Sequence, residues 1–145
     1  MNRQIILKWY EEYKIGLYRF ALSILKDEAS AEDVLQEVFL RMMMGKYWPQ
    51  PGKERAYLYR CVRNVCYDEL RQRKRVDADD KEAVDPSDQY LYLHLITPLK
   101  EKDREIVTLK VIGGLTNREI GRIIGLTEQA VKKRYQRAIE KLREG

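Results

Sequence analysis

Apolar residues recur every three or four positions along most of the chain, and glycines and prolines fall between the periodic stretches. The pattern therefore predicts helices throughout. The first runs from about Arg3 to Leu25, with Ile6, Trp9, Tyr13, Leu17, Phe20 and Ile24 on one stripe. Ser30 is placed to cap a second, with Asp33 in the capping-box position; Val34, Leu35, Val38, Phe39 and Met42 form its apolar side, and it ends near Gly45. The loop "KYWPQPGKER" follows, kept out of regular structure by two prolines. "RAYLYRCVRNVCYDELRQRKR" then predicts a third helix with Leu58, Cys61, Val62, Val65 and Leu70 facing inward.

Towards the other end, "LTNREIGRIIGLTEQAVKKRYQRAIEKL" writes two helices with a glycine between them. Thr116 and Glu119 have the spacing of a reciprocal capping box. Ile120, Ile123 and Ile124 share a face, and Gly125 suits the left-handed conformation that ends a helix. Thr127 caps again, and Val131, Tyr135, Ala138, Ile139 and Leu142 form the next stripe. The pair predicts a helix-turn-helix. With that stripe inward, Gln129, Lys132, Lys133, Gln136 and Arg137 are left outward, where cations can neutralise phosphate and Gln can pair with a base edge. Thr127, at the cap, is counted with this DNA-reading set.

Charge divides the chain in three. Residues 1–75, 76–89 and 90–145 carry net charges of +5, −5 and +5, within an overall +5 over 145 residues. Two basic helical domains facing a polyanion are expected, joined by an acidic linker, "VDADDKEAVDPSDQ", that has no hydrophobic periodicity. On the third helix Arg60, Arg63, Asn64, Arg71 and the rest of "RQRKR" lie outward after a loop that holds Trp48. Rings for stacking beside cations for the backbone suit single-stranded nucleic acid. Tyr57, Tyr59 and Tyr67 are equally able to half-bury against neighbouring helices.

No apolar run approaches bilayer length, and Lys8, Glu11 and Glu12 interrupt the N-terminus, so a cytoplasmic protein without membrane insertion is expected. Cys61 and Cys66 point apart on their helix and read as small packing residues; His94 reads as a partly buried structural histidine. No catalytic constellation, metal site or cofactor motif is present, so a non-catalytic protein is expected.

"AEDVLQEVFLR", a Trp-containing loop, "AYLYRCVRNVCYDELRQRKR" and a terminal helix-turn-helix, in this order, resemble the extracytoplasmic-function group of bacterial RNA polymerase sigma factors over nearly the whole chain. The resemblance implies an all-helical factor: an N-terminal four-helix domain (1–75), a linker threading the polymerase (76–89) and a C-terminal four-helix domain (90–145). It implies that Asp33, Gln36 and Glu37, which share a helix face, dock on the clamp helices of the largest polymerase subunit. The loop from Lys46 to Arg55, with Trp48, Lys53 and Arg55 in it, matches with Asn64 the part that captures unpaired bases of the −10 element. Lys132, Lys133, Gln136 and Arg137 match readers of the −35 element, and Lys110 matches a position that supports the backbone. The implied partners are core RNA polymerase, promoter DNA both duplex and melted, and an anti-sigma factor. The implied function is a dissociable specificity subunit that directs polymerase to a subset of promoters and assists their opening. The helix-turn-helix by itself also fits a free-standing regulator whose N-terminal domain senses a partner or ligand, a reading that leaves "DVLQE" and the basic third helix without a purpose.

Overall fold

The computed structural model describes residues 3–45, 48–75 and 88–144, and leaves the side chains of 74, 75 and 88–91 undescribed. Among the described residues the chain forms seven α-helices and no strand. They fall into two compact units, Met1–Glu82 and Ala83–Gly145. Residues 76–87, most of the expected acidic linker, lie outside the described residues, as does Lys46.

The first unit packs α1 (Arg3–Leu25), α2 (Glu28–Met43) and α3 (Glu54–Arg75) against one another. Among the described residues it has three helices, where four were expected. The C-terminal part of α1 is enclosed by its neighbours: Leu17, Phe20, Ala21, Leu22 and Leu25 are all buried, each large apolar side chain contributing about 1.5–3 kcal/mol. Lys26 adopts a positive φ of 60° and turns the chain, and Asp27 then caps α2 by accepting from the Ser30 amide at 3.1 Å. The expected Ser30 cap is thus displaced. Asp27 offers a cap one turn earlier, so Ser30 and Asp33 both lie inside the helix, and the Ser30 hydroxyl donates to Asp27.

On α3 the buried residues are Leu58, Tyr59, Val62, Val65 and Cys66, while Cys61 and Leu70 are only half-buried. A helix flanked by two others buries a face wider than one stripe. Tyr59 packs on Phe20 of α1 with ring centroids 5.6 Å apart, and its burial pushes the phenol pKa up to about 12. Arg73 joins the end of α3 to the α1–α2 turn, donating to the Leu25 carbonyl at 3.3 Å and to the Ser30 hydroxyl.

The second unit comprises α4 (Asp88–Ile96), α5 (Glu101–Val111), α6 (Asn117–Ile124) and α7 (Glu128–Glu144). Five consecutive residues of α5, Glu105 to Leu109, are buried, so this helix is the centre of the unit, and α6 and α7 both pack on it. Ile96, Leu99, Val107 and Ala138 form one apolar cluster, with Tyr92, Tyr135 and Leu142 against it. Tyr92 shares a 2.8 Å hydrogen bond with Thr108, and burial raises its pKa. His94 is exposed, contrary to the expected partial burial: α4 turns Tyr92 and Ile96 to the core, and a residue two positions from each faces away.

Candidate nucleic-acid interface

The helix-turn-helix begins with a closed capping box. The Glu119 amide donates to Thr116 Oγ1 at 3.1 Å, and the Thr116 amide donates to Glu119 Oε1 at 2.9 Å. The turn ends α6 with Gly125 at φ 87°, its amide donating to the Gly121 carbonyl at 2.8 Å. The returning chain lies directly on α6, since a Cβ on Gly121 would stand 2.4 Å from the Leu126 carbonyl oxygen. Thr127 then caps α7, accepting from the Ala130 amide at 3.1 Å. Every link in this construction is local, which is why the spacing of Thr, Glu and Gly announces it.

Helix α7 buries Val131 and Ala138 and half-buries Tyr135, Ile139 and Leu142. Gln129, Lys132, Lys133, Gln136 and Arg137 are all exposed, so the structure brings the whole outward set together on one helix. Thr127 is exposed at its start. Arg134, between these cations in sequence, is instead held by Asp103 of α5 at 3.1 Å. Lys110 differs from the outward set: it is half-buried and donates to Asn117 Oδ1 at 2.9 Å. Arg118 and Arg122 are exposed on α6 and were missed. Their signal was legible, since they lie two residues either side of buried Ile120 on a short helix that ends beside α7.

In the first unit the candidate residues are more dispersed. Asn64 is exposed and lines a cavity of about 450 Å³ between α2 and α3, with Val38, Met42, Met44, Tyr57, Cys61 and Val65 among its walls. Burial raises the Cys61 thiol pKa, against a smaller opposing effect of a hydrogen bond with Tyr57. Trp48 does not enter this cavity. Its ring centroid lies 5.5 Å from that of Trp9, and its buried indole N–H has no hydrogen-bond partner among the described residues. Lys53 and Arg60 are exposed. Arg55 is exposed and stands over the Tyr13 ring at 5.6 Å; Arg63 lies over Tyr67 at 4.7 Å; Arg71 is exposed and pairs with Asp68.

Asp33, Gln36 and Glu37 are exposed on α2, and Glu37 pairs with Arg41 at 2.7 Å. Leu40 and Met44 follow at the same helical spacing, 59% and 76% exposed, and give this face an apolar continuation that the sequence reading omitted. A polar cleft between α2 and α3 is lined by Glu37 and Arg71, so the acidic face and the basic helix meet there. Among the described residues no helix is long and apolar enough to cross a membrane.

Comparison with known proteins adds a family. A model of sigma-70 region 2 matches residues 9–76, and one of sigma-70 region 4 matches residues 90–142. The chain is similar to the ECF RNA polymerase sigma factor SigM of Bacillus subtilis, at 30% identity covering 92% of this chain and 90% of SigM. It is 33% identical to the RNA polymerase sigma factor CarQ of Myxococcus xanthus, over 86% of this chain and 79% of CarQ. To the ECF sigma factor SigE of Mycolicibacterium smegmatis it is 29% identical, and there it spans only 56% of the relative's length. The fold is shared with the sigma factor RpoE of Bartonella quintana, solved in complex with the anti-sigma factor NepR: TM-score 0.75 and 23% identity, over 94% of this chain and 95% of that one. It is shared also with CnrH, solved with the cytosolic domain of CnrY: TM-score 0.72 and 24% identity, over 99% of this chain and 88% of that one.

Proposed function

The chain belongs to the extracytoplasmic-function group of bacterial RNA polymerase sigma factors, and from that premise we propose that it directs core RNA polymerase to a subset of promoters and helps to open them. The observation that carries this reading is the division of α7, whose apolar stripe is turned to the core while Gln129, Lys132, Lys133, Gln136 and Arg137 are all exposed behind two capped helix starts. Such a helix can enter a major groove and read the −35 element, its cations neutralising phosphates and its Gln side chains pairing with base edges. The first unit supplies the other half. Asn64, exposed in the wall of a largely apolar cavity that Arg41 also lines, with the exposed Arg60 one turn before it on α3, is suited to hold an unpaired base of the −10 element, and the exposed Lys53 and Arg71 add positive charge to the same unit. Trp48 packs on Trp9 of α1 and so anchors the loop that precedes α3.

Asp33, Gln36 and Glu37 dock on the clamp helices of the largest polymerase subunit, and Leu40 and Met44 extend the contact with apolar surface. The acidic segment 76–89 serves as the connector that passes through the polymerase. The protein works in the cytoplasm and adds no catalytic group to RNA synthesis, and an anti-sigma factor is the regulatory partner that family membership implies.

The test is transcription from a cognate promoter by core polymerase with and without the protein, beside the double variant Asp33→Lys, Glu37→Lys. Wild type is expected to confer promoter-dependent run-off. The variant is expected to keep its melting temperature, because exposed changes shift stability by within about 0.5 kcal/mol, and to lose core binding. A folded double variant that assembles holoenzyme at wild-type affinity removes the docking assignment, and failure of wild type to support initiation at any promoter removes the function.

A further inference from the structure

Lys110, expected to contact DNA with the outward residues of α7, instead turns its side chain back into the protein. It lies in the last turn of α5, and its ammonium donates to Asn117 Oδ1 at 2.9 Å, in the first turn of α6. The same ammonium lies 5.9 Å from the centroid of the Tyr135 ring on α7. One cation on α5 thus reaches both helices of the helix-turn-helix. Seven residues earlier on α5, Asp103 holds Arg134, the neighbour of Tyr135. Two helical turns, about 10.5 Å, separate Asp103 from Lys110, yet they reach adjacent residues of α7. The two polar ties therefore bracket the place where α7 crosses α5, which Val107 and Ala138 fill with apolar contact.

The consequence is rotational. Burial of Val131 and Ala138 sets roughly which side of α7 is inward, but apolar contact is non-directional and leaves the helix able to roll. A directed tie at Tyr135 stops the roll. At about 100° per residue, Lys133 and Arg137 both lie about 160° from Tyr135, on the side opposite the tie, so its position sets where they point.

We propose that Lys110 is a positioning residue: it sets the rotation of α7 against α6 by bridging Asn117 and Tyr135, and it makes no contact with phosphate. This rests on the reading of α7 as the promoter-reading helix. The alternative, a direct backbone contact, predicts different chemistry, because a lysine that neutralises a phosphate releases counterions and one already satisfied within the protein does not.

Two measurements separate these. In the full-length free protein, a double-mutant cycle of Lys110→Met and Asn117→Ala on thermal melting reads the bridge with no DNA present. The losses are expected to be non-additive, the double variant melting close to the worse single; additive losses overturn the bridge. In holoenzyme on a duplex −35 fragment, Lys110→Met and Asn117→Ala are each expected to weaken binding about tenfold, with the salt dependence unchanged and Lys110→Arg restoring most of the loss. A salt slope lowered by about one in Lys110→Met with Asn117→Ala neutral shows a phosphate contact and overturns the proposal. So does unaltered binding in Lys110→Met. Should wild-type holoenzyme show no preference among duplex sequences, the promoter-reading assignment of α7 fails, while the melting cycle still decides the bridge.

Discussion

The outward cations of α7 and five arginines of the first unit are held differently. On α7, Lys132, Lys133 and Arg137 are exposed and form no ion pair or ring contact among the described residues. In the first unit Arg41 is paired with Glu37 and Arg71 with Asp68, Arg55 and Arg63 stand over tyrosine rings, and Arg73 is tied to the α1–α2 turn. The difference fits two tasks. A helix that meets duplex DNA has cations in solvent, ready to exchange small counterions for phosphates. A surface that receives unpaired bases needs aromatic and apolar walls held in place, and cations engaged with rings and carboxylates hold them.

The largest expected effect breaks this contrast if it is absent. Lys133→Ala and Arg137→Ala should each weaken duplex binding by holoenzyme, by about 1–3 kcal/mol for a base contact, or lower the salt slope by about one for a phosphate contact. Filter binding across a salt series measures both, and undiminished binding by the two variants would mean that the uncommitted cations of α7 have no DNA role. Next in size is Gly121→Ala. A Cβ placed 2.4 Å from the Leu126 carbonyl oxygen forces the turn away from α6, and about 1–3 kcal/mol of stability should be lost from the second unit. Calorimetry should show a lower melting temperature with the first unit unaffected; an unchanged melt would show that the turn can shift at no cost.

This turn also shows how much was legible. The capping box, the positive φ of Gly125 and the second cap are interactions within three or four residues, so their spacing in sequence is their geometry. The Asp27 cap was local too, but two capping residues stood three apart and the sequence pattern favoured the wrong one. Burial of Tyr59 and Cys66, exposure of His94 and the seat of Trp48 on Trp9 all depend on which helix lies alongside, and no periodicity within one helix contains that information.

A smaller effect sharpens the contrast from the other side. Asn64→Ala should reduce the extent of promoter melting by holoenzyme, read by permanganate, while duplex affinity stays within about 0.5 kcal/mol of wild type, because Asn64 lines a cavity in the first unit and not the cationic face of α7. A melted region of wild-type extent would separate the cavity from base capture. Smallest is the reactivity of Cys61. Burial raises its pKa, so its thiolate fraction at mildly alkaline pH is below that of a free thiol, and iodoacetamide should modify it more slowly. A rate equal to that of free cysteine would show that the wall of the cavity opens readily.

Local pattern and composition sufficed for the helical class, the split of charge into two basic regions around an acidic one, and the helix-turn-helix with its outward cations. These follow from interactions between residues close along the chain, or from composition, and need no partner helix to define them. Which of the basic residues are available depends instead on how the helices pack. Lys110 and Lys133 are alike as letters, yet one bridges Asn117 to Tyr135 and the other is exposed. Arg71 and Arg73, two apart in one basic run, are an exposed side chain and a tie to the α1–α2 turn. The charge of a side chain belongs to the sequence; what meets that charge is set by helices packed from distant parts of the chain, and that packing separates a cation open to solvent from one tied within the protein.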